Sequence, residues 1–149
     1  MTLQSVSVAL VGSGGAGVMT AGQMLLEAAS KAGYYGLMTR SSGPQIRGGE
    51  AAAYVRIGSV PIAGPSDSFD IVLAVDWQNV NRFVAELPLT AKSLVLTDPE
   101  QPDMPEAIAK SGATIVDFPM KKMAGEIKGG RANMLALGIV GQLFRLPME

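Results

Sequence analysis

Gly12-Ser13-Gly14-Gly15-Ala16-Gly17 is the stretch of this chain whose chemistry is easiest to name. Four glycines in six positions satisfy G-x-G-x-x-G, a pattern that brings bare backbone N–H groups close to a phosphate from which side chains would hold them away. Where such a turn opens a helix, unpaired N–H groups and about half a positive charge face the same anion. The candidate donors are the backbone at Gly12, Gly14, Gly15, Ala16 and Gly17. Tight packing of helix on sheet is the other use of such glycines, and Gly22 has that role further on. With a strand before the turn and a helix after it, phosphate binding is the favoured reading.

Two arginines extend the anion chemistry. Arg47-Gly48-Gly49 sets a planar guanidinium fork beside bare backbone, suited to a phosphate or a carboxylate; a hinge-like turn with Arg47 paired to an acidic neighbour is the alternative. Thr39-Arg40 stands where an NAD-binding unit carries an acid for the ribose hydroxyls. A cation there disfavours NAD and fits a ligand with one more phosphate, such as NADP or the 3′-phosphorylated ADP of coenzyme A; a solvated loop charge is the plainer reading.

Groups that move protons or hold metals are missing. The chain has no His and no Cys, which excludes thiolate zinc sites, a catalytic thiol and any Cys-ligated iron–sulfur cluster within it, and removes the commonest general base. Its own side chains therefore carry little of the chemistry that occurs near it.

The elements that must position these residues follow an alternating pattern. Gln4 to Val11 reads as a strand buried on both faces, and Val18, Gly22, Leu25, Leu26 and Ala29 recur at helical spacing up to Lys31-Ala32-Gly33. Tyr34 to Thr39 is a second strand, the residues from Arg40 to Gly49 read as loop, and Ala51 to Ile57 alternates as a half-buried strand suited to antiparallel pairing. Phe69 to Val75, Ser93 to Thr97 and Thr114 to Phe118 are further strands. Trp77 to Leu87 reads as a helix stopped by Pro88, Gln101 to Ser111 holds a short helix from about Pro105, and Arg131 to Leu146 is a final helix, apolar nearly all round and expected to be buried between the sheet and something else. This order predicts an α/β fold: a mostly parallel, doubly wound, Rossmann-like sheet with helices on both faces.

Bulk properties bound the rest. With 149 residues, 48% of them hydrophobic, the chain makes one domain with its own core. A net charge of -1 gives no field for nucleic acid. No apolar run reaches membrane-spanning length and no basic signal flank precedes the first strand, so no membrane partner and a cytoplasmic location are expected. The stop at Leu146-Pro147-Met148-Glu149, with Pro147 suited to the first turn of another helix, suggests a domain cut from a longer chain.

Taken together, the two loops resemble those of the gamma domain of the 2-oxoacid:ferredoxin (acceptor) oxidoreductases, over nearly the whole chain. Gly12 to Thr20 is similar to that family's G-x-G-G-Q-G-V-x-T stretch, with Ala16 in place of its Gln. Gly43 to Glu50 is similar to G-P-x-x-R-G-G, Asp70 to Asp76 to its D-x-x-x-x-x-D strand, and Arg131-Ala132-Asn133-Met134 to the opening of its last helix. The resemblance implies one gamma-type domain, residues 1–149, either a separate subunit or fused ahead of an alpha region, and the stop at Glu149 favours the fused form. It also implies a role in coenzyme A binding while a 2-oxoacid such as pyruvate or 2-oxoglutarate is oxidatively decarboxylated to an acyl-CoA. Thiamine diphosphate, Mg and iron–sulfur clusters then belong to partner alpha and beta subunits or domains, and ferredoxin or another acceptor is an indirect partner. The implied binding residues are Gly12, Gly14, Gly15, Ala16, Gly17, Arg47, Gly48 and Gly49, with Arg40 and Asn133 beside them and no catalytic residue. An assembly element of the same complex without its own ligand site, and an NADP-binding domain, are the alternatives.

Overall fold

The structure, a computed structural model, describes residues 4–13, 15–42, 50–78, 80–82, 84–101 and 104–145. Its strands are β1 (Ser5–Ser13), β2 (Tyr35–Ser42), β3 (Glu50–Gly58), β4 (Ile71–Ala74), β5 (Leu94–Thr97) and β6 (Thr114–Asp117). They form one sheet in the order β2-β3-β1-β4-β5-β6. β1, β4, β5 and β6 pair in parallel, whereas β3 is antiparallel to both β1 and β2.

β1 is central because its apolar run has two faces to bury. Val8 and Leu10 join one core with the helices α1 (Val18–Lys31), α3 (Met120–Gly125) and α4 (Ala132–Phe144). Ala9 and Val11 join another beneath Trp77, Val80, Leu87 and Ile108 of α2 (Glu106–Ala109). Elements thus cover both faces, as expected of a doubly wound sheet. α1 lies close to β3 because Gly22 has no side chain: a Cβ there would sit 2.7 Å from that of Ala53.

A pair of aspartates fixes β4 beside β1. Ser7 N–H donates to Asp70 Oδ2 at 2.8 Å and Ser13 N–H to Asp76 Oδ1 at 2.9 Å, each contact bridging 63 positions. The six-residue interval between the aspartates matches that between the serines, so both ends of the pairing are held in one register.

Three expectations need correcting. β2 continues to Ser42 because its partner does, with Ser42 opposite Ala51; Arg40 to Ser42 is strand, not loop. Between Trp77 and Leu87 the described residues form not an α-helix but two 3-10 turns, Val80–Arg82 and Val84–Glu86, closed by Val80 N–H on Trp77 O and Leu87 N–H on Val84 O. The apolar positions point inward as a helix would have placed them, but Asp76 Oδ1 accepts the Gln78 N–H and the Trp77 indole donates to Thr97 Oγ1 at 2.7 Å, which tightens the start of the segment. α3 was not foreseen; it is capped from outside by Asp98, whose Oδ2 accepts the Lys121 N–H at 2.8 Å. α4, expected to lie between the sheet and something else, packs Asn133, Ala136, Leu137, Val140 and Gly141 inward and leaves Leu143 52% exposed on the other side.

Candidate functional site

β1 and β4 are neighbours whose chains leave in opposite directions. β1 exits through the glycine turn to α1 on one face, and β4 exits past Asp76 to the 3-10 turns on the other. Such a switch point opens a crevice at the carboxyl ends of the strands, the usual ligand position in open α/β sheets. An open cavity of about 430 Å³ lies there, lined by residues of the turn (Ser13, Gly15, Ala16), of the β4 end (Val75, Asp76), and by Gln101, Lys121, Arg131, Ala132 and Asn133.

Its walls are rich in donors. Gly15 (φ 87°) and Gly17 (φ 81°) both have the left-handed conformation that turns the backbone over into α1. The N-cap residues of α1 and α4 are Gly17 and Arg131, and neither helix has a side-chain hydrogen bond capping its start. The start of α4 (Arg131, Ala132, Asn133) lines the cavity, and α1 begins just beyond Ala16 on its wall, neither helix being capped by the side chain of its own N-cap residue. Lys121 and Arg131 add two exposed cations.

Asn133 joins the two helix starts. Its Nδ2 donates to Gly17 O at 3.1 Å across 116 positions, and a Cβ on Gly17 would lie 2.9 Å from Asn133 Cγ. Only glycine satisfies both the positive φ and this close approach. Asn133 is 6% exposed and sits inside α4, so it ties one helix to the other instead of capping its own.

Of the residues expected at the site, Gly15, Ala16 and Asn133 line the cavity. Gly12 lies beneath the turn, where a Cβ would press on Ala16 Cβ and Val18 Cγ1, each at 3.1 Å, and Gly17 closes the turn. Gly14, Arg47, Gly48 and Gly49 fall outside the described residues. Arg40 is not brought in: β3 intervenes between β2 and β1, which puts Arg40 about 10 Å from the β1 axis. Lys121 and Arg131 were missed; the signal for Arg131 is its place directly before Asn133-Met134, whereas Lys121 is delivered by the long-range Asp98 cap and has no local signature.

Two smaller cavities, about 150 and 170 Å³, are less suited to an anion. In the first, Arg56 spends its guanidinium on Ser5 Oγ and on the carbonyls of Gly64 and Pro65, and the Tyr54 hydroxyl donates to Glu86. Burial, and then the Glu86 charge, push the Tyr54 hydroxyl above its ordinary pKa. The second is lined chiefly by apolar and neutral groups, among them Val6, Tyr34, Ile57 and Phe144. Among the described residues no three His, Cys, Asp or Glu are grouped to hold a metal, and the chain has no cysteine; an iron–sulfur cluster does not fit it. No helix among the described residues is long and apolar enough to cross a membrane.

A family model described as pyruvate ferredoxin/flavodoxin oxidoreductase matches residues 7–149. The chain is 28% identical over 146 residues to ketoisovalerate oxidoreductase subunit VorA of Methanothermobacter marburgensis, spanning 93% of this chain and 30% of that protein. It is 30% identical over 138 residues to 2-oxoglutarate synthase subunit KorC of the same organism, covering 88% and 73%. In shape it matches a Magnetococcus marinus 2-oxoglutarate:ferredoxin oxidoreductase, solved with 2-oxoglutarate, coenzyme A and succinyl-CoA bound, with a TM-score of 0.79 at 24% identity over 95% of this chain and 25% of that one. The gamma subunit of a Geobacter sulfurreducens keto/oxoacid ferredoxin oxidoreductase gives 0.72 at 26% identity, over 93% and 75%. The chain thus spans under a third of the longer relatives and about three quarters of the shorter ones.

Proposed function

We propose, from the premise that this chain belongs to the pyruvate ferredoxin/flavodoxin oxidoreductase family, that it is the gamma unit of a 2-oxoacid:ferredoxin oxidoreductase. In this reading its crevice docks coenzyme A. The observation that carries it is the convergence of a glycine turn, the start of α4 and two cations, Lys121 and Arg131, on one cavity at the switch point of the sheet. The coenzyme A in the Magnetococcus marinus enzyme agrees with that convergence in ligand class.

Coenzyme A, when bound, supplies the thiol that takes up the acyl group. The chain's own part is to bind and orient. The backbone N–H of Gly15 and those of the first turns of α1 and α4 face the phosphates, the Ala16 N–H being held by Ser13 O at 3.0 Å, and Lys121 and Arg131 offset their charge. With no histidine or cysteine, the domain acts by placing the coenzyme, while thiamine diphosphate, Mg and clusters belong to alpha and beta partners.

The test is calorimetric titration of coenzyme A into the assembled complex. Replacing both Lys121 and Arg131 by Ala should weaken binding roughly tenfold or more, from two partly exposed charge-assisted contacts. Gly15→Val, which forces a β-branched residue to positive φ, should weaken it as well. Affinity unchanged in both variants overturns the assignment.

A role in assembly has support of its own from α4, which has no charged residue between Ala132 and Phe144 and leaves Leu143 half exposed. Leu143→Asp should then release the chain from its partners without altering its own fold, read by sedimentation; a complex that stays intact removes this role.

A further inference from the structure

Asp76 is the one carboxylate among the described residues that line the crevice. Among the described residues its oxygens accept three hydrogen bonds: Oδ1 from the N–H groups of Ser13 at 2.9 Å and Gln78 at 3.1 Å, and Oδ2 from Ser13 Oγ at 2.8 Å. Ser13 is the residue from which the glycine turn departs, so Asp76 sets where that turn begins.

The hydrogen bonding does not require a charge. An asparagine is isosteric; its carbonyl oxygen accepts both N–H groups, and its NH2 donates to Ser13 Oγ once the hydroxyl turns around. A negative charge on the wall nevertheless opposes an anionic ligand, and the more so where water is excluded.

We propose that Asp76 is a positioning residue with two separable effects, a reading that rests on coenzyme A being the ligand of this crevice. Its shape holds Ser13 and the turn in place, and its charge keeps the grip on phosphates loose enough for coenzyme and acyl product to exchange. Acceptor and product carry the same phosphates, so a grip that tightens on both alike adds nothing to turnover once the site is filled and slows product release.

The two effects come apart in Asp76→Asn and Asp76→Ala. In the assembled complex, calorimetry and stopped-flow displacement with coenzyme A should show Asp76→Asn binding roughly three- to tenfold tighter than the native protein at low salt, with slower dissociation, the gain fading as salt rises. Asp76→Ala, which releases Ser13, should bind more weakly than the native protein. Ser13→Ala keeps the charge and loosens the clasp, so it must not tighten binding. An Asp76→Asn complex that binds coenzyme A no better than the native one, or a Ser13→Ala complex that binds it better, overturns the inference. If the Lys121/Arg131 double alanine variant also binds as the native protein does, the docking reading itself has failed; if that variant loses affinity while Asp76→Asn gains none, only the role of Asp76 has.

Discussion

Gly17→Ala puts the glycine turn under a direct test. At Gly17 φ is 81°, a conformation that costs an L-residue about 1–2 kcal/mol. The added methyl would also press on the Asn133 amide, with Cγ at 2.9 Å, and drive it off Gly17 O. Because Asn133 is 6% exposed, a displaced amide there costs about another 1–3 kcal/mol. The sum, roughly 2–5 kcal/mol, corresponds to about 4–20 °C in Tm for a chain of this size. Urea titration and calorimetry of the chain would measure it. Asn133→Ala alone should cost about 1–2 kcal/mol, and in the double variant the methyl has lost the group it collides with, so the total should fall short of the sum of the single effects by about 1 kcal/mol. A Gly17→Ala protein within 0.5 kcal/mol of the native one, or strictly additive effects, would refute the idea that these two residues are locked together; both bounds are on the order of the additivity error.

Three further outcomes are expected. Trp77→Phe, which strips the buried Thr97 Oγ1 of its 2.7 Å indole donor, should lower stability by about 1–2 kcal/mol in denaturant titration. Asp70→Ala should raise amide exchange at Ser7, whose N–H loses its acceptor, and cost about 1 kcal/mol; unchanged protection would show that the aspartate does not hold the strand. Because burial and then Glu86 raise the Tyr54 pKa, the folded state favours the neutral hydroxyl. That contribution is intact below the unfolded tyrosine value of about 10 and is lost as pH rises beyond it. Tyr54→Phe should flatten stability above about pH 10 in pH-stepped unfolding; an unaltered alkaline slope counts against the assignment.

What was legible in the sequence was local. Glycines that turn a strand into a helix, the apolar stripe of α1 and the alternation of β3 are set by neighbours in the chain, and all three are found where the residue types put them. Gly22 was likewise readable as a packing glycine, and it faces Ala53. The misses share a different cause. The end of β2 was hidden because its last residues become strand only by pairing with β3. The segment from Trp77 to Leu87 kept its inward-facing residues but took its hydrogen-bond period from anchors at Asp76 and Thr97. α3 and its Lys121 depend on Asp98, 23 positions away, and short helices held from a distance leave little periodic trace. Asn133 lines the crevice, but its bond to Gly17 O was not legible, since no pattern in the chain announces it.

The paired aspartates on β4 have a consequence for how this domain can be edited. Adding or deleting one residue within Ile71–Ala74 would carry Asp76 about 3.3 Å along β1 and swap inward for outward side chains beyond the change. Ser13 would lose its tether, and the mouth of α1 would be re-aimed with it. Extra residues between Ser59 and Phe69 leave both anchors where they are. Length changes are therefore tolerable in that connection and forbidden in the four-residue strand, which acts as the ruler against which the ligand-facing end of the sheet is cut.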